Sequence, residues 1–370
     1  MQRHLIPRGH QLITAHAFTT RLSKFALLGL LLLFVTACSD TTTNPTTPAP
    51  VRVNGFGTAA NHVHSLLALP NHVLVLATHY GLFRSNDDGT TWTLVAAGPN
   101  QPMDGLMTYS LVNSPLNAQR LYVATQEVTN VHKGTIGLYS SADQGRTWQL
   151  AVPATTLTSS ANIYLTVAGN DTPDEVYVYL SDLGALGLKV SMDAGQHFTT
   201  VGTLPFGTLA SLLPLPGKPG VLLAGSGEGL ARSTDGGTHW EMMKGITGGV
   251  FSLVTSGQNQ PIYAAGDAGI YTSTDGGQTF TLANSQAAYG SLAVSPTQPK
   301  VIYGRTASGV YRSTDGGHTW NALPAIKGNL GNLVVDPTNP LQVYLSLSYP
   351  TTIYHFDQGS AKWVSLTPKA

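Results

Sequence analysis

The chain has a single cysteine, Cys38, among 370 residues, so no disulfide within it can support the fold. Charge is scarce: 10% of residues are Asp, Glu, Lys or Arg, with 19 basic residues against 19 acidic ones. Four of the basic residues, Arg3, Arg8, Arg21 and Lys24, fall within the first 37 positions, which leaves the remainder mildly acidic and without a basic run. That argues against nucleic acid as the main partner, because phosphate binding needs a concentrated positive face. After residue 38 no long segment spaces its apolar residues as a helix does, which excludes a mostly helical protein. What is abundant is glycine (40), proline (22) and tyrosine (15), with Val and Thr throughout, a mixture that suits many short strands joined by tight turns.

Arg21 and Lys24 precede the apolar run FALLGLLLLFV (25–35), which is too short to span a bilayer comfortably and has the charge order of an export signal. It leads into VTAC, ending at Cys38, and this resembles the bacterial lipobox. The resemblance implies cleavage before Cys38 and lipidation of that residue. Residues 1–37 are therefore expected to be a lipoprotein signal peptide, and 38–54 a Thr/Pro-rich tether and lead-in. The body, from 55 to 366, is expected on the extracytoplasmic side of a bacterial cell envelope, held to the membrane by lipid.

That body repeats itself. SNDDGTTW begins at Ser85, SADQGRTW at Ser141, SMDAGQHF at Ser191, STDGGTHW at Ser233, STDGGQTF at Ser273 and STDGGHTW at Ser313. The frame is S-x-D-x-G-x-[TH]-[WF], with serine spacings of 56, 50, 42, 40 and 40, and a decayed seventh copy, HFDQGSAKW, runs from His355 to Trp363. A period near 40 marks a repeat architecture. Around each box the chain offers four β-rich stretches and three turns, and four-stranded units repeated about an axis make a β-propeller. The expected fold is all-β: a single propeller of seven four-stranded blades, at about 55–100, 101–153, 154–205, 206–246, 247–285, 286–325 and 326–366. The box itself has the chemistry of a joint. Asp caps backbone N–H groups two residues on, Gly supplies positive φ, Ser pins the turn, and Trp or Phe packs back between units.

S-x-D-x-G-x-T-W resembles the Asp-box, or BNR repeat, of sialidases, sortilin-type receptors, xyloglucan hydrolases and photosystem II assembly factors. The resemblance implies that each box joins the third and fourth strands of a blade, away from the face that binds or catalyses. Asp87, Asp143, Asp193, Asp235, Asp275 and Asp315 are then structural. Sialidases need three arginines around a substrate carboxylate, whereas only seven arginines follow Cys38 and only Arg305 falls near the candidate face. No F-R-I-P-type segment is present in the body.

On the opposite face the loops between second and third strands carry Glu127, Asp182, Glu228 and Asp267, with Asp104 in an inter-blade connection. Clustered carboxylates can share a proton, hold a cation or flank a glycosidic bond; beside glycine they are also ordinary solvated turn residues. The long loop QEVTNVHKGTIG (126–137) adds His132 and Lys133. The polar rim expected to bind is thus Glu127, His132, Lys133, Asp182, Glu228, Asp267 and Arg305, supplemented by aromatics such as Tyr109 and Phe251 in or near the connections. His62 and His64 stand two apart on the first strand of blade one, with His72 and His79 nearby in sequence. Strand residues at i and i+2 share a face and suit a metal. No Cys or clear carboxylate accompanies them, so hydrogen-bonded histidines, no metal and no cofactor are expected. The expected function is a non-catalytic, monomeric scaffold binding a protein, peptide or glycan, and the competing class is a sialidase-like extracellular glycoside hydrolase.

Overall fold

The second strand of nearly every repeat is apolar along its whole length rather than alternating, as in VLVLAT (Val73–Thr78) and VYLSL (Val343–Leu347), and every residue of both is buried. A strand hidden on both faces must be covered from two sides. The outermost strands are the reverse: Glu241–Met242 and Asn321–Ala322 are fully exposed. In this computed structural model, which describes residues 61–128, 132–160 and 162–366, these gradients organise seven separate four-stranded antiparallel sheets, each built from consecutive strands. They span 63–95, 106–153, 165–200, 211–242, 250–284, 291–322 and 330–365. Among the described residues helix is limited to two short 3-10 segments, Ala154–Thr156 and Ser181–Leu186. The chain is a seven-bladed β-propeller. The segment 1–60, on which the expected signal peptide, lipidation at Cys38 and tether fall, lies outside the described residues.

Each repeated box closes the turn from third to fourth strand in the same way. In blade six the Ser313 hydroxyl donates to Asp315 Oδ1 (2.8 Å) and accepts from the Gly317 N–H (2.9 Å). The Asp315 carboxylate in turn accepts from the N–H groups of His318 (3.1 Å) and Thr319 (3.0 Å) and from the Thr319 hydroxyl (2.5 Å). The expected Asp cap two residues on is replaced by one three and four residues on, because the serine hydroxyl already serves the nearer donors and leaves the carboxylate to close the wider loop. Trp320 Nε1 donates to Gly317 O (2.8 Å), which seats the indole. A backbone N–H within the box also reaches the first-to-second-strand turn of the same blade, as in Gly236 to Gly220 O (2.8 Å) and Gly316 to Lys300 O (3.1 Å). Boxes and those turns therefore share one end of the propeller.

The box glycine is fixed by its neighbours as well as by its torsion. At Gly237, φ is +88° and an added Cβ would stand 2.4 Å from Val201 Cγ1 of the preceding blade. Gly195 repeats this against Leu138 (φ +86°, 2.8 Å). Between blades, fully buried tyrosines of the second strands add polar staples. Tyr263 OH donates to Pro299 O (3.1 Å), Tyr303 OH to Pro340 O (3.0 Å) and Tyr344 OH to Asp88 Oδ1 (2.9 Å), each in the next blade around the ring. The last of these belongs to the closure. Blades seven and one meet over Leu66, Leu74, Leu76, Phe83, Tyr344 and Ile353, and Val63 N–H donates to Ser348 O (3.2 Å). Among the described residues no strand is exchanged across this seam.

Replacing Asp315 with Ala removes the acceptor for four donors, and the expected cost is about 1–3 kcal/mol of folding stability, measured by urea unfolding with an unchanged m-value. The box carboxylates also make stability acid-sensitive. Partial burial pushes the Asp315 pKa up, but hydrogen bonds from Thr319, Ser313 and His318 outweigh it and hold the carboxyl at about 2, below its ordinary 3.8. At Asp235 the backbone N–H and ring of His239 lead a shift in the same direction, also to about 2. The unfolded chain thus takes up these protons first as pH falls. The contribution is complete above about pH 4 and is expected to be lost as pH drops from 3.8 towards 2, a loss that melting temperatures followed by circular dichroism will show.

Candidate functional site

The end opposite the boxes is formed by the starts of the first strands, the ends of the second strands and the loops that follow them, because first and second strands pair antiparallel, for example Val63 with Thr78 and Val250 with Gly266. Glu127 ends the second strand of blade two and is exposed. His132 is half-buried with Nδ1 2.7 Å from Gly134 O; Lys133 is exposed, with Nζ 3.4 Å from Asn100 Oδ1. Residues 129–131 of that loop lie outside the described residues.

The other carboxylates do not face one another through a shared proton or ion pair; each holds the connection that enters its own blade. Asp182 accepts from the Thr158 hydroxyl. Glu228 Oε1 accepts from the Gly207 N–H (3.4 Å), and Asp267 Oδ2 from the Gly249 N–H (2.9 Å). Asp104 caps the Asn100 N–H within its own turn (2.8 Å). Blade one is clamped in the reverse sense, with Asn61 Oδ1 on the entering segment accepting from the Tyr80 N–H of the loop (3.0 Å). Asp182, Glu228 and Asp267 thus stand in the corresponding loops of blades three, four and five, each anchored and each with oxygen capacity left for a further donor.

Arg305 differs from them. It ends the second strand of blade six (Ile302–Arg305), is half-buried, and its Nε has no hydrogen-bond partner. Burial lowers its pKa. Among the described residues the ion pairs are His72–Asp88, Arg120–Asp174, His197–Asp193 and His239–Asp235, so no carboxylate neutralises Arg305. A guanidinium sunk into a face without an acid is costly unless something arrives to pair it. Exposed apolar side chains accompany it on this end, with Leu183 and Leu186 on the short 3-10 segment and Tyr349 in the loop of blade seven. Of the connection aromatics, Phe206 and Tyr289 are core residues, whereas Tyr109 and Phe251 stay half-buried.

The histidines form the feature that sequence reading noticed and set aside. The loop after the second strand brings His79 back against His62 and His64. His79 N–H donates to His62 O (3.0 Å), the rings of His62 and His79 stack at 4.6 Å, and those of His62 and His64 meet edge-on at 4.5 Å. His64 is the extra residue of a β-bulge between Val63 and Ser65. The histidines were expected to be hydrogen-bonded, but His64 Nε2 and His79 Nδ1 are buried without partners. Burial first, then repulsion from His62 and His79, drives the His64 pKa down to about 3; burial and His62 bring His79 to about 4, and burial lowers His62. All three are uncharged imidazoles at neutral pH. His72 is elsewhere, exposed at the box end beside Asp88 (2.6 Å).

A cavity of about 590 Å³ lies at the box end between blades four and five, lined by Arg232, Asp235, His239, Trp240 and Phe280 among others. It is an open groove, and Asp235 and His239 there are committed to the turn and to each other (2.6 Å). Its chemistry is that of a joint, and its unmatched polar atoms, Arg232 Nε and Trp240 Nε1, flank the box turn itself.

No family model matches the chain, and no curated protein matches its sequence. Solved structures do match. The GH74 xyloglucanase from Xanthomonas campestris has a TM-score of 0.62 and 18% identity, covering 86% of this chain and 55% of that one. YCF48 bound to D1 peptide has a TM-score of 0.57 and 14% identity, covering 85% of this chain and 99% of that one. The extracellular domain of a putative one component system from B. thetaiotaomicron has a TM-score of 0.55 and 14% identity, covering 80% and 39%. The chain spans just over half the length of the xyloglucanase. Among the described residues no helix is long and apolar enough to cross a membrane. At these identities the likeness establishes a β-propeller fold.

Proposed function

We propose that this chain is an exported, lipid-anchored propeller of the Asp-box type that binds a peptide segment of a protein partner on the end opposite the boxes, without catalysing a reaction. The observation that carries the reading is Arg305, a half-buried guanidinium with no acidic partner on a face that also presents Tyr349, Leu183 and Leu186. That combination suits a ligand bringing one carboxylate and an apolar body. The rim groups Glu127, Asp182, Glu228, Asp267, His132 and Lys133 supply polar contacts around it, and the loop clamps keep the face pre-organised. Cys38 holds the propeller at the membrane surface of the cell envelope, and the Thr/Pro tether spaces it from the lipid. The similarity to YCF48 bound to D1 peptide, which extends over nearly all of that chain, supports the peptide reading. The engagement of Asp182, Glu228 and Asp267 with backbone and hydroxyl donors weighs against a glycosidase pair, which needs two carboxyl groups poised across a cleft at about 5–10 Å.

The test is fluorescence polarisation of the purified full chain against peptides cut from envelope proteins, each with a free or an amidated C-terminus. Binding is expected to favour the free carboxylate, and Arg305→Gln is expected to weaken it by at least about tenfold with the melting temperature unchanged. Asp315→Ala is expected to leave affinity intact in the fraction that stays folded. Unaltered binding in Arg305→Gln would overturn the reading. So would turnover of aryl glycosides that Glu127→Gln or Glu228→Gln abolishes, which would move the chain to the hydrolases.

A further inference from the structure

We propose that His62, His64 and His79 form a three-imidazole site for one divalent first-row transition metal ion, with an open coordination position at the end of the propeller opposite the boxes. One ring nitrogen from each of the three residues lies within 4.8 Å of the others. Tetrahedral zinc bound at about 2.0–2.1 Å holds its nitrogens about 3.3–3.4 Å apart, so closure draws the rings together by up to about 1.5 Å. His62 and His64 are fixed by the first strand and its bulge, and His79 is tied to that strand by its own N–H on His62 O and by Tyr80 N–H on Asn61 Oδ1. Bulges recur beside functional sites because the extra residue re-aims a side chain.

The polar accounting points the same way. His64 Nε2 and His79 Nδ1 are buried without hydrogen-bond partners, although a buried nitrogen left unmatched is destabilising. An ion held between the three rings would satisfy lone pairs that nothing else among the described residues reaches. Among the described residues no Asp, Glu or Cys joins the group. An all-imidazole set suits zinc, copper or nickel, whereas magnesium and calcium require oxygen ligands. Three histidines leave the fourth tetrahedral position to water or to a donor from a bound molecule. The neighbouring rings are Tyr109 at 5.0 Å from His64, Tyr349 at 6.2 Å from His62 and Tyr80 at 4.7 Å from His79, so the site has aromatic walls. This inference stands independently of any peptide bound at Arg305.

The experiment uses the full chain stripped with chelator and titrated with Zn²⁺ alone, in competition with a chromophoric chelator. One tight equivalent is expected, with a rise in melting temperature at excess metal. Replacing Zn²⁺ by Co²⁺ is expected to give the strong visible absorption of tetrahedral coordination. His64→Gln and His79→Gln should each weaken that equivalent by about 100-fold or more, beyond the 10–100-fold typical of losing an outer-shell partner. His72→Gln, at the other end, should change nothing. Diethyl pyrocarbonate footprinting of the unaltered chain gives a readout that does not depend on a variant folding: Zn²⁺ should protect His62 and His79 from modification. Zinc uptake that is the same in His64→Gln, His79→Gln and the unaltered chain, an absence of saturable uptake, or unchanged footprinting would overturn the assignment and leave a neutral imidazole stack.

Discussion

A blade whose second strand is buried along its full length has two apolar faces and can cover neither by itself. Val73–Thr78, Leu222–Ser226, Ile262–Gly266 and Val343–Leu347 are all in this position. Each needs a blade on either side, and the only arrangement that gives every blade two neighbours is a closed ring. The contact between blades is therefore the interaction on which the rest depends. It explains why the second box glycine must be glycine: at Gly195 and Gly237 a methyl group would be driven into Leu138 or Val201 of the neighbouring blade. It also explains the buried tyrosines, which carry a large apolar ring into the seam and still find a carbonyl or carboxylate in the next blade for their hydroxyl.

Stapling one end of the blades releases the other. At the box end, serine, aspartate and threonine side chains are consumed in closing turns, and backbone N–H groups of the boxes are consumed by the adjoining strand turns. At the opposite end the loops are held by single side-chain clamps, Asp182, Glu228, Asp267 and Asn61, leaving Arg305, His64 and His79 with unmatched nitrogens. Unmatched buried nitrogens also occur at the box end, at Arg120, Arg232 and Trp240, so what sets Arg305, His64 and His79 apart is their place beside the loops, where an outside partner can meet them.

The seven blades were legible because the box writes its turn chemistry locally: serine, aspartate and glycine are needed within a few residues of each other, so their spacing is visible in one dimension. The decayed copy at 355–363 remained readable for the same reason, since Asp357 still caps Gly359 and Ser360. What escaped were contacts made across the ring or across a folded loop. The tyrosine staples join residues 36 or more positions apart and give no local signal. The loop carboxylates looked alike as acids beside glycine, and only the structure shows that several of them grip the connection entering their blade. His62 and His64 were visible as a pair, but the third ring arrives with the turn at His79, and the absence of a neighbouring carboxylate in sequence hid that three imidazoles alone make a donor set.

The histidine group also sits where the ring closes. Asn61 O accepts from the Thr351 N–H (3.1 Å) of blade seven, while Asn61 Oδ1 holds the Tyr80 N–H beside His79. Val63, between the two strand histidines, donates to Ser348 O, and Tyr349 and Tyr109 bring rings from blades seven and two to the same place. The residues that position the three imidazoles are thus the residues that join the last blade to the first. No strand crosses this seam among the described residues, which join the two blades by packing and by these hydrogen bonds. An ion bound by His62, His64 and His79 would tie the start of the first strand to the turn after the second, and by linkage it would stabilise blade one at the edge that meets blade seven.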